Sequence, residues 1–162
     1  MTDSDVVVVL TEEALGGDDA ARISALHPDD TLIFRVLVPA DTERNLLVDV
    51  LDHLSMFDLR AALGEIRGEP DESTARAGAQ QALEESLAAL RGTGAVADGV
   101  VTDDDPLPAL EQAVREHDAR EVVVVTRPHA VEDTFHTDWA SRARERLGVP
   151  VLHVYAGTTF LG

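Results

Sequence analysis

The sequence predicts an α/β fold, a single domain over residues 1–162 built on a five-stranded parallel sheet with helices on both faces. Three observations carry that expectation. Two short runs, Val6 to Leu10 and Val122 to Val125, are apolar without polar alternation, the signature of parallel strands buried on both faces. Segments of helical period separate the strand-like runs, and such alternation winds a parallel sheet through right-handed crossovers. The chain has 162 residues, 44% of them hydrophobic, which suits one core rather than two.

Val6 to Leu10 is read as the first strand. Thr11 to Asp19 follows as a turn-rich loop containing Gly16 and Gly17, with Asp18 or Asp19 placed to cap a short helix reaching about Leu26. His27, Pro28, Asp29 and Asp30 break that helix. The second strand spans Thr31 to Val38, where Arg35 interrupts the apolar run, and Pro39 ends it. From Asp41 the period changes: Leu46, Leu47, Val50, Leu51 and Leu54 recur at three and four residues, as on an amphipathic helix capped by Asp41 or Thr42. Met56 to Ile66 either extends that helix or forms a separate element, so residues 41–70 read as a helical insertion.

Gly68, Glu69 and Pro70 mark a break. Asp71 or Ser73 then caps a long helix with Ala79, Leu83, Leu87 and Leu90 on one face, stopped by Gly92 and Gly94. Ala95 to Thr102 forms a strand interrupted by Gly99. Asp103 to Pro106 offers a cap and a proline suited to the first helical position, before a helix with Leu107, Leu110 and Val114 on one face. The strand at Val122 comes next. Thr134 to Leu147 is the last helix, with Arg142, Arg144 and Arg146 where its dipole favours positive charge. Gly148 and Pro150 end it, and Val149 to Tyr155 is the final strand.

Charge excludes several function classes. Thirty-one acidic residues face 13 basic ones, all arginine, for a formal net charge of −18. That field repels a phosphate backbone and anionic membrane surfaces. Aromatics at 4% leave no base-stacking surface for single-stranded nucleic acid. A solvated acidic surface that keeps the protein soluble is the simplest reading, and adaptation to high salt the sharper one. The absence of cysteine rules out a disulfide framework or a thiolate site. Val6 to Leu10 is too short, with the wrong flanks, for a signal peptide or membrane span, which makes the cytoplasm the default location.

In strand order 3-2-1-4-5, strands one and four are adjacent and the winding direction reverses between them. Ligands in such sheets bind outside the carboxyl ends at this switch point. The expected site lies between Thr11 to Asp19 and Thr126 to Asp138, and its candidate pocket residues are Thr11, Glu12, Val38, Thr126, Arg127 and His129. A phosphate there needs glycines for close backbone approach and positive charge to hold the anion. The loops supply Glu12, Glu13, Asp18 and Asp19 on one side, and Arg127 against Glu132, Asp133 and Asp138 on the other. Unit charges about 4 Å apart interact by roughly 1 kcal/mol in water and about 4 kcal/mol near a protein surface, so these carboxylates oppose a bare triphosphate. A bound divalent cation would reverse that sign.

His129, Glu132, Asp133, His136 and Asp138 form the densest set of metal-ligating residues, with His129, Asp133 and His136 the weak candidates for a metal. The two histidines, with six residues between them, have a spacing that matches no recognised motif, and a solvated loop and helix start explains them more simply. No serine sits in a nucleophile elbow, since Ser24, Ser55, Ser73, Ser86 and Ser141 fall on predicted helices or caps. His153, inside the last strand, reads as a packed or interface residue rather than a base. No catalytic residue is assigned.

The order of elements, and the run Ala89 to Tyr155, resembles the universal stress protein family. The residues that carry the resemblance are Leu90-Arg91-Gly92-Thr93-Gly94, the Asp105-Pro106 helix start with Ala109 and Ala113, the Val122 to Thr126 strand, and Val149-Pro150-Val151-Leu152-His153-Val154. The resemblance implies a Rossmann-like, adenine nucleotide alpha hydrolase-like fold. Members that bind ATP carry Gly-x2-Gly-x9-Gly-Ser/Thr after the fourth strand and an aspartate ending the first. Here Thr126-Arg127-Pro128-His129 begins that loop without its glycines, and Thr11, Glu12 and Glu13 take the place of the aspartate region. The implied branch is the one that does not bind ATP, with no cofactor expected. The family also pairs its final strand across a two-fold axis, which would join Val151 to Tyr155 of two copies, with Thr158 to Leu161 adding cover.

These readings converge on a binding or regulatory homodimer with no catalytic role, whose partners are a second copy and a small-molecule ligand, not nucleic acid or membrane. One alternative is a nucleotide-binding member that holds phosphate through a metal and Arg127. Another is a small hydrolase or phosphotransferase on the same loops with Glu12 or His129 as base.

Overall fold

A computed structural model describes residues 5–28, 30–40, 72–103, 106–126 and 144–157. In chain order these form β1 (Asp5–Thr11), α1 (Gly17–Ser24), β2 (Leu32–Pro39), α2 (Glu72–Gly92), β3 (Val96–Thr102), α3 (Leu107–Glu116), β4 (Glu121–Thr126) and β5 (Val151–Tyr155). The five strands make one parallel sheet in the order β3-β2-β1-β4-β5. Val8 of the central strand stands opposite Arg35 on one side and Val122 on the other. The expected insertion at 41–70 and residues 134–143 of the predicted helix from Thr134 to Leu147 lie outside the described residues.

The valine runs lack alternation because both faces of the sheet are covered. On one face, Ala20 and Ile23 of α1 and Ala79, Leu83 and Leu90 of α2 pack on Val7, Val9, Phe34, Val36 and Val123. On the other, Leu107, Leu110 and Val114 of α3 pack on Val8, Leu10, Val122 and Val124. Successive strand residues point to opposite faces, so every position of β1 from Val7 to Leu10 finds an apolar layer. Arg35, the exception in β2, pairs with Asp98 directly opposite it on β3, Nη1 to Oδ1 3.0 Å.

Local details differ from the sequence reading, each for a physical reason. Gly99 does not interrupt β3, which runs through it in register with Val36. A Cβ at that position would lie 2.5 Å from the Val36 carbonyl oxygen and 2.6 Å from Leu83 Cδ1, so the glycine lets α2 press close to the sheet. Neither Asp18 nor Asp19 caps α1. The cap residue is Gly16, and both aspartates sit in the first turn. Pro106 is the cap of α3 rather than its first residue, and Pro108 lies in the first turn. Ser73 lies inside α2, and Asp71 is outside the described residues. The final strand begins at Val151, two residues later than predicted, because Gly148 (φ 72°) ends the preceding helical turn by donating its N–H to the Arg144 carbonyl at 2.8 Å.

Candidate functional site at the β1/β4 switch point

β1 and β4 are adjacent and leave the sheet in opposite directions of winding, which places the switch point at their carboxyl ends, with Thr11 opposite Val125. Four of the candidate residues belong to this edge. Thr11 and Glu12 end and follow β1, Val38 is next to last in β2, and Thr126 ends β4. All four are buried, Glu12 with only 3% of its surface exposed. Arg127 and His129 lie outside the described residues, as do the weak metal candidates Asp133 and His136. Among the described residues no group of three or more metal-ligating side chains gathers.

The loop after β1 is held by bonds the sequence did not announce. Thr11 Oγ1 donates to the Glu13 carbonyl at 2.7 Å, a turn that draws the chain back over the end of the strand. Two residues on, the Leu15 N–H donates to Ser86 Oγ at 3.0 Å, and Ser86 in turn donates to the Ala82 carbonyl at 2.7 Å. Ser86 is fully buried on the inner face of α2. Its signal in the sequence was its spacing: it stands three residues after Leu83 and four before Leu90, a polar residue in an apolar stripe.

Asp19 closes the other side of the loop. Its buried carboxylate accepts the Arg22 guanidinium at 2.5 Å and the Gly157 N–H at 2.9 Å through the same oxygen, Oδ1. It thereby ties the first turn of α1 to the turn after β5. A carboxylate is favourable near a helix N-terminus, where the peptide dipoles leave partial positive charge. The start of α1 thus carries two acidic groups of its own, Asp18 and Asp19, and Arg22 is paired with one of them.

On the β4 side, Thr126 Oγ1 and His153 Nε2 share a buried hydrogen bond of 2.7 Å, and the His153 ring meets Tyr155 edge-on with centroids 4.6 Å apart. The Thr126 carbonyl accepts the Ala156 N–H at 2.8 Å. His153 is thus packed, as its place inside a strand predicts, and it anchors the hydroxyl that ends β4. Of the acidic residues that follow β1, Glu12 and Asp19 are buried, Asp18 is exposed in the first turn of α1, and Arg22 is paired with Asp19.

Two other clusters lie away from the switch point. At the amino end of the sheet, Arg120 donates to Asp30 Oδ2 at 2.6 Å and Asp5 Oδ2 at 2.5 Å. These two bonds, Asp30's first, raise its pKa above the ordinary arginine range. His27 Nε2 meets Glu121 Oε1 at 2.8 Å at the same end. A groove of about 480 Å3 runs between α3 and the β2/β3 side of the sheet, lined by Arg35, Leu37, Val100, Ala109, Gln112 and His117. None of the described helices is long and apolar enough to cross a membrane.

No protein-family model matches the chain, and no curated protein matches it in sequence. Solved structures do match its fold. The universal stress protein UspA of Lactobacillus plantarum is 13% identical over 94% of this chain and 99% of its own, with a TM-score of 0.55. The universal stress protein of Archaeoglobus fulgidus, solved in complex with dAMP, is 14% identical over 94% of this chain and 98% of its own, at 0.54. A universal stress protein family protein of Arabidopsis thaliana with AMP bound is 11% identical over 95% of this chain and 93% of its own, at 0.53. At such identities the likeness is one of architecture: the chain has the fold of the universal stress proteins, a 3-2-1-4-5 parallel sheet with helices on both faces.

Proposed function

We propose that this protein is a universal stress protein-like binding or regulatory protein that works without ATP, as a homodimer, and catalyses no reaction. The observation that carries the reading is the first turn of α1, which holds Asp18 and Asp19, with Asp19 binding Arg22 and Gly157. Asp18, exposed in that turn, opposes a phosphate at the start of α1, and Arg22 is already taken up by Asp19. The sequence adds that the loop after Thr126 lacks glycines until Gly148. Isothermal titration with ATP, ADP and AMP, with and without magnesium or manganese, tests the reading. No heat of binding is expected in any of these titrations.

A second reading is favoured by the nucleotides named for two of the structures of the same fold, dAMP and AMP. In it, a divalent metal and Arg127 supply positive charge to the site. Micromolar binding that depends on the metal would replace the first reading with this one, and turnover in the same samples would favour a hydrolase or phosphotransferase using Glu12 or His129.

The dimer would form through Val151 to Tyr155. Support comes from the position of β5 at the end of the described sheet, where an edge strand presents a row of backbone N–H and C=O groups that a second strand can pair. A monomer mass by light scattering at high concentration would rule it out. The reading takes the cytoplasm as its location. It takes small molecules and a second copy as partners, because a net charge of −18 repels nucleic acid and anionic membranes.

A further inference from the structure

We draw no further inference here: the strongest candidate, the groove of about 480 Å3 between α3 and the β2/β3 side of the sheet, is rimmed by Arg35, Thr102 and Gln112, which already pair with their neighbours, and nothing in the structure shows what covers its apolar floor.

Discussion

A methyl group at position 99 would stand 2.5 Å from a backbone oxygen of the neighbouring strand and 2.6 Å from a leucine of the covering helix. The Val36 carbonyl is fixed in the ladder and Leu83 is buried in the core, so neither yields freely. Gly99→Ala is therefore expected to destabilise the fold by about 1–3 kcal/mol, the usual cost of overpacking, read as a lower urea midpoint with an unchanged slope. Ser86 is the converse case, a polar side chain that belongs in a core. Ser86→Ala removes the acceptor of the Leu15 N–H, and a buried donor left unmatched costs about 1–3 kcal/mol. Ser86→Thr, which keeps the hydroxyl, separates that loss from a simple change of volume if it recovers most of the stability.

At the scale of elements, the strands were legible and the helix ends were not. Four valines in a row identify β4 because a strand covered on both faces needs nothing but apolar side chains, and that requirement is local. The switch point followed from the 3-2-1-4-5 strand order, one of the orders that alternating strands and helices can build. Helix starts depend on where a carboxylate finds its partner, and Asp19 finds one 138 residues away, at Gly157. No local pattern announces a bond of that span, so a residue that looks like a cap is instead a clasp. The Thr126–His153 pair, 27 residues apart, was hidden in the same way. Asp19→Ala should cost about 1–3 kcal/mol through the loss of buried, charge-assisted hydrogen bonds. It should also speed hydrogen exchange at the Gly157 amide selectively, while amides inside β1 slow or quicken only with global stability.

For the whole molecule, the governing quantity is a net charge of −18 on 162 residues. Self-repulsion of this kind opposes the compact state, and salt shortens its reach from about 10 Å at 0.1 M to about 3 Å at 1 M. The thermal midpoint is expected to rise between low and molar salt, with sodium chloride and potassium chloride acting alike if screening is the cause. A midpoint that stays flat would mean the carboxylates are spaced or paired so that they do not couple, and would remove salt adaptation as an explanation of the composition.

The sheet also has a direction in time. β4 lies between β1 and β5, so its outer edge is completed only when Val151 to Tyr155 arrive. Until then a growing chain carries Val122 to Val125 with one row of backbone groups open, an uncharged β-branched run of the kind that pairs with whatever strand is near. Asp19, made early, likewise waits for the Gly157 amide, made late. The edge of β4 is thus closed late, and until β5 is made Val122 to Val125 stay open to pairing with other strands.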